Sequence, residues 1–230
     1  VFLLTDGYLA NAAEPWLLPD MKNYAPIVTN KIGTDGKAAI FERDPKSLGR
    51  PWVAPGTPGL LHRIGGLEKD IRTGNISYEP DNHQAMTELR ANKVRSVAEF
   101  IPDQRVAIGP EHGAIAVVGW GSTYGSIYQA VRRIARKHKN VSHIHVRYLN
   151  PFPKNLGALL SGFDRIVVPE MNMGQFATLL RDKLGIEVIQ YNKVTGQPFQ
   201  IRELVKFIET QLPSRGNVEA LPRVRHGDRA

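Results

Sequence analysis

The sequence predicts an α/β fold with a mainly parallel sheet covered on both faces by helices. From Ile115 onward, short apolar runs alternate with segments of helical period, the signature of repeated strand–helix units. Polar, glycine-bearing clusters fall where those strands end, at GWGSTYG, RYLNPFP and PEMNMGQ. Ligands of such sheets gather at the carboxyl ends of the strands. A third observation bounds the regular region. From Glu14 to Leu60, prolines and glycines recur and helical periodicity fails, so this stretch reads as an extended connector.

Taken in order, Val1 to Thr5 reads as a buried strand that stops at TDGYLAN, where Asp-Gly signals a turn. Beyond the connector, His62 to Glu79 is a polar loop bearing a Gly-Gly pair. A helix opens at Pro80 and Asp81, with Met86, Leu89, Val94 and Val97 as a rough apolar stripe, and ends near Phe100 to Gln104. Strands are expected at 115–118, 141–146, 165–168 and 187–190. Helices are expected at 123–137, 155–160 and 175–183. A last helix over 200–212 carries apolar residues at Ile201, Leu204, Val205, Ile208 and Leu212.

Composition narrows the function classes. No apolar run approaches the roughly eighteen residues of a membrane helix, so no membrane partner is expected. The chain begins without Met and without a basic leader, which reads as a piece of a longer polypeptide. Cysteine is absent, which excludes disulfides, thiolate zinc sites, a cysteine nucleophile and a cysteine-ligated iron–sulfur cluster within this chain. A cytoplasmic setting fits that usage. The net charge of +8 gathers in RRIARKHK, where cations complement a helix end, and in the tail LPRVRHGDRA, which reads as disordered. No aromatic-interleaved basic stripe accompanies it, so a nucleic-acid partner is not expected.

Several clusters carry candidate site residues. Gly119, Gly121 and Gly125 read G-x-G-x-x-x-G, one residue longer than the dinucleotide fingerprint, and the next strand, VSHIHVRYL, holds no acidic residue. A tight strand-to-helix turn is favoured there, with Gly119, Gly121 and Ser122 as candidates to face a cofactor or an interface. In VVPEMNMGQ, Glu170, Asn172 and Gln175 form either a polar edge at a cofactor or subunit site, or a helix cap made by Asn172 with Glu170 at the positive helix end. Asn150, before Pro151, fits a stiff link. In HRIGGLEKD, Arg63, Gly65, Gly66 and Glu68 form either a surface loop or a backbone that a ligand approaches closely. His83 at the helix start reads as a cap or packing residue. His143 and His145 share one strand face, and no third metal ligand stands at a sensible spacing. No Ser/His/Asp arrangement is present. The residues alone leave open an NAD(P)-binding oxidoreductase module or a non-catalytic subunit-interaction domain.

Read together and in order, LTDGYLAN, HRIGGLEKD followed by TGNISYEPDNHQAMTELRANKV, VVGWGSTYGSIYQAVRR, VRYLNPFPKNLG, VVPEMNMGQFATLLRDKL and YNKVTGQPFQIREL resemble one family. It is the C-terminal part of the alpha subunit of 2-oxoacid:ferredoxin oxidoreductases, most closely the 2-oxoglutarate type, and the resemblance runs from Val1 to about Leu212. It implies that residues 1–13 end a thiamine-pyrimidine-binding domain, with Asp6 and Asn11 facing a cofactor or interface. Residues 14–104 would be a connector with a loop and a helix. Residues 105–212 would be a transketolase C-terminal-like three-layer domain, and 213–230 a basic tail. Such enzymes decarboxylate a 2-oxoacid on thiamine diphosphate with magnesium, pass electrons through an iron–sulfur cluster to ferredoxin, and release the acyl group on coenzyme A. The resemblance places those cofactors mainly on other segments or on the beta subunit, with none held by this segment alone. The family's Tyr-Pro-Ile-Thr-Pro-like segment, its Arg-Gly-Gly-Pro loop and its thiamine-activating glutamate have no match here. No catalytic residue is therefore assigned, and this segment alone is expected to be inactive.

Overall fold

Ile115 to Val118 are four apolar residues in a row, all fully buried, and the computed structural model sets them in the central strand of a five-stranded sheet. A strand covered on both faces needs no polar alternation, which is why it reads as one apolar run. The structure describes residues 2–5, 7–13, 15, 17–27 and 40–213. Val1, Asp6, part of the expected connector and the basic tail from Ser214 lie outside the described residues.

The strands are β1 (Val106–Ile108), β2 (Gly113–Gly119), β3 (Val141–His145), β4 (Phe163–Glu170) and β5 (Ile189–Asn192), in the spatial order β1-β3-β2-β4-β5. β2 runs parallel to β3 and β4, and β4 parallel to β5, while β1 joins the β3 edge antiparallel. The helices are α1 (Gly7–Asn11), α2 (Pro80–Ser96), α3 (Tyr124–Ile134), α4 (Leu156–Leu160), α5 (Gln175–Leu184) and α6 (Ile201–Thr210). None of the described helices is long and apolar enough to cross a membrane.

The apolar spacing of α3 buries Ile127, Ala130, Val131 and Ile134 on one stripe. They pack with Leu204 and Ile208 of α6 against Ile115, Val117 and Val167 of the sheet. The alternate strand residues Ala116, Val118, Ile166 and Val168 are also buried and project to the other face, toward which the crossovers through α4 and α5 lead. α6 is tied down at both ends. Gln200 N–H donates to Glu203 at 2.8 Å, Lys193 bonds Glu203 at 2.7 Å, and Arg165 donates to the Gln211 carbonyl at 2.7 Å. Tyr191 stacks on Phe207 at 4.4 Å.

Three expectations are corrected, and one strand was not foreseen. Residues 2–5 form no strand: Phe2, Leu3 and Leu4 are 96%, 86% and 94% exposed, because no described segment lies alongside to bond with them. β1 went unforeseen because three residues between Pro102 and Gly109 give no readable period. The helix expected at 123–137 is a 3-10 turn, Gly121–Thr123, followed by α3, whose end tightens into turns at Ala135 to His138. β5 begins two residues later than expected and its residues are only half-buried.

Residues 9–102 and 148–153 group into a second compact unit. α2 begins at Pro80 as expected, but none of its residues is buried, and Val94 and Val97 are 45% and 43% exposed. This unit is organised by polar turns. Asp44 Oδ1 accepts from the N–H of Lys46 and Ser47 and the Ser47 hydroxyl. Asp70 Oδ1 repeats the arrangement with Arg72 and Thr73.

On β3, His143 is fully buried and packs under Tyr124 and Tyr128, with ring centroids at 5.3 and 6.3 Å, beside His145 at 5.9 Å. Among the described residues neither ring nitrogen of His143 has a hydrogen-bond partner. Burial, then the neighbouring His145, pushes its pKa from 6.5 down to about 3. Between those values the unfolded chain binds a proton that the folded chain refuses, so stability rises with pH through this window and is lost as pH falls. Thermal unfolding followed from about pH 6.5 downward should show a falling Tm, with a shallower slope in His143→Gln. An unchanged slope would assign the acid sensitivity to other groups.

Candidate functional site

In a parallel sheet the loops part where two neighbouring strands send their connections in opposite directions. Here those neighbours are β2, which leads through α3 to β3, and β4, which leads through α5 to β5. The two clusters singled out in the sequence, GWGSTYG and PEMNMGQ, form the two sides of that opening.

On the β2 side, Gly119 is required by close packing. A Cβ there would strike the Ile127 side chain and lie 2.8 Å from Thr123 Oγ1. Trp120 N–H donates to Thr123 Oγ1 at 3.2 Å, and that hydroxyl donates back to the Trp120 carbonyl at 2.7 Å. Gly121, at φ +56°, turns the chain into α3 and is exposed with Ser122. On the β4 side, Glu170 is fully buried at the strand end. It accepts from the backbone N–H of Phe176 and Ala177 at 2.9 Å each, and from the Trp120 indole at 3.2 Å. Asn172 Oδ1 accepts from Gly174 N–H at 2.7 Å and from Gln175 N–H at 3.3 Å.

The opening of the sheet is thus closed by its own residues. The first-turn N–H groups of α5, which would receive a ligand phosphate in a nucleotide-binding sheet, already hold the Glu170 carboxylate. The N-cap residue is Gly174, so Asn172 closes the turn just before the helix, while Glu170 takes the N–H groups that an N-cap side chain would bond; Gln175 is exposed at the first turn.

In the second unit the structure joins Glu68 to His83, fifteen positions apart in sequence. Glu68 Oε2 bonds His83 Nδ1 at 3.0 Å, and Oε1 bonds Arg90 at 3.3 Å. The His83 hydrogen bond, helped by Arg90, holds the Glu68 carboxyl below its usual range. Lys69 Nζ donates to the carbonyls of Gly65 and Leu67, fixing the Gly65–Gly66 turn. Arg63, Asn11 and Asn150 are exposed. Asp6 lies outside the described residues.

Sequence reasoning missed Trp120. Its signal was present: a donor-bearing aromatic between two glycines, and a lone carboxylate ending the apolar run IVVPE, each in need of a partner. Arg43, Arg50, Lys69 and Arg90 were also missed, because they are scattered through segments without periodicity.

Residues 114–204 match the model of the pyruvate:ferredoxin oxidoreductase core domain II. The chain is 42% identical over 215 residues to 2-oxoglutarate oxidoreductase subunit KorA of Mycobacterium tuberculosis, covering 94% of this chain and 33% of that protein. It is 32% identical over 218 residues to 2-oxoacid:ferredoxin oxidoreductase 1, subunit alpha, of Aeropyrum pernix, covering 90% of this chain and 33% of that protein. Among solved structures, it is similar to 2-oxoglutarate:ferredoxin oxidoreductase from Magnetococcus marinus with 2-oxoglutarate, coenzyme A and succinyl-CoA bound. That likeness has a TM-score of 0.76 and 28% identity, over 84% of this chain and 34% of the other. The chain therefore spans about a third of the length of the curated relatives it matches.

Three substitutions test this edge. Glu170→Ala leaves buried helix N–H groups and the indole without an acceptor, and should cost about 3 kcal/mol or more. Glu170→Gln, which keeps acceptor oxygen, should cost less. Gly119→Ala forces Ile127 aside and should cost about 1–3 kcal/mol. Denaturant unfolding followed by tryptophan fluorescence measures all three.

Proposed function

Since the chain belongs to the 2-oxoacid:ferredoxin oxidoreductase family, we propose that it is the C-terminal part of the alpha subunit of a 2-oxoglutarate:ferredoxin oxidoreductase. Its sheet domain has the three-layer, transketolase C-terminal-like fold of that family. In the proposed reaction, 2-oxoglutarate loses carbon dioxide, its acyl carbon is oxidised by two electrons and joined to the coenzyme A sulfur with release of the thiol proton, and two ferredoxins each accept one electron. The observation that carries this reading is that sequence likeness and fold likeness to enzymes named for 2-oxoglutarate each run over most of the chain.

The residues present do not fit an iron–sulfur cluster. With no cysteine, the chain offers no thiolate to a cluster, and no group of three acidic, histidine or cysteine side chains converges for a metal among the described residues. Thiamine diphosphate, magnesium and the iron–sulfur cluster are accordingly assigned to other segments or to the beta subunit, and no step runs through side chains of this segment. Its proposed work is to present a rigid edge to that partner. Gly121, Ser122 and Gln175 face outward above the Glu170 anchor, and Asn11, Arg63 and Asn150 are exposed elsewhere. Asp6 is assigned to the same interface by resemblance. Ferredoxin as electron acceptor, coenzyme A as co-substrate and a cytoplasmic setting complete the reading.

The test uses the native complex, isolated anaerobically through this subunit. Methyl viologen reduction should require both 2-oxoglutarate and coenzyme A, and pyruvate should support it with kcat/KM lower by about tenfold or more. No reduction by a preparation with intact clusters and thiamine diphosphate would overturn the assignment.

A further inference from the structure

Beside the Gly65–Gly66 turn of the second unit lies a cavity of about 230 Å³. Its walls carry Arg43, Arg50, Lys69 and Arg90 against two carboxylates, Glu68 and Asp70. Both carboxylates are engaged within the fold. Glu68 divides its oxygens between His83 and Arg90, and Asp70 closes its own turn onto Arg72 and Thr73. The Lys69 ammonium is held by the Gly65 and Leu67 carbonyls at 2.6 and 2.5 Å.

Arg43 and Arg50 are left without a carboxylate among the described residues. Burial, then the neighbouring Arg50 charge, lowers the pKa of Arg43. The Arg43 Nε is buried with no hydrogen-bond partner among the described residues, and Nη1 reaches only the Leu48 carbonyl, at 3.4 Å. Arg50 stands 5.4 Å above the centre of the Phe41 ring. Phe41 is in turn pressed onto Gly74, where any side chain would collide with the ring. Two like charges are therefore held side by side by packing, and a buried donor beside them is unmet. Guanidinium forks match tetrahedral and planar oxyanions, and two of them balance a dianion.

Gly65 and Gly66 keep the approach open, since nothing lies within 4 Å of the position a Cβ would take at either. At roughly 30 Å³ per water, the space holds a small oxyanion with a short attachment and falls below the size of a drug-like ligand. We propose that Arg43 and Arg50 form a binding site for a phosphate-type dianion, either inorganic phosphate or the phosphomonoester end of a small ligand. The site stands on this unit alone and does not depend on the activity proposed above.

Hydrogen exchange of the native complex tests it, with inorganic phosphate, glycerol 1-phosphate and succinate as probes against sodium chloride at matched ionic strength. Phosphate should slow exchange over residues 41–50 and 65–71. Arg50→Gln, at an exposed position whose loss leaves the fold intact, should weaken that protection about tenfold or more. Arg72→Gln, an exposed cation outside the cavity, should leave it unchanged. Tighter binding of glycerol 1-phosphate supports the ester, and equal binding supports the free ion. Protection equal in chloride, protection by succinate alone, or an affinity unaltered in Arg50→Gln would overturn the proposal.

Discussion

The carboxyl edge of the sheet depends on one buried carboxylate. Glu170 is fully enclosed and accepts three hydrogen bonds, two from the first turn of α5 and one from the Trp120 indole. A carboxylate removed from water is tolerated only when such donors replace its hydration. The replacement works in both directions here. Helix N-terminal N–H groups need acceptors and carry a positive dipole end, so Glu170 satisfies α5 as α5 satisfies Glu170. Because the third donor comes from the turn after β2, the same group fixes the spacing of the two loops that part at the opening of the sheet.

That arrangement decides what the edge can do. A strand–turn–helix unit with glycines at its turn has the raw materials of a phosphate site, but the anion position at α5 is filled from within. Gly119 is spent on letting Ile127 and Thr123 approach β2. Gly119 thus answers to helix packing, while Gly121 and Gly125 have nothing within 4 Å of the position a Cβ would take. The polar residues that remain exposed, Ser122 and Gln175, flank a rigid surface that holds no acid–base set.

Much of the sheet domain was legible in sequence because its signals are local and periodic. The apolar run of β2, the stripe of α3 and the spacing of Leu204 and Ile208 each declare a buried face without reference to other segments. The elements that failed were those whose form depends on distant partners. Phe2 to Leu4 have strand composition, yet a strand exists only beside a neighbour, and no described segment supplies one. The Trp120–Glu170 bond joins residues fifty positions apart, so each cluster was visible and their meeting was not. The same reason separates Glu68 from His83. Asn172 is the opposite case: its side chain bonds residues two and three positions ahead, a local turn that needs no distant partner, although the N-cap itself is Gly174.

The two units handle charge in opposite ways, and this contrast separates structure from potential ligand chemistry. In the sheet domain, the buried carboxylate of Glu170 has its full set of donors within the fold, and an added anion would find the helix end taken. In the second unit, little apolar surface is buried and the chain is held instead by turns around Asp44 and Asp70 and by the Glu68 network. Those contacts consume the local carboxylates. Arg43 and Arg50 have no carboxylate partner among the described residues, and they line a cavity where Arg50 lies over Phe41 and Phe41 packs on Gly74.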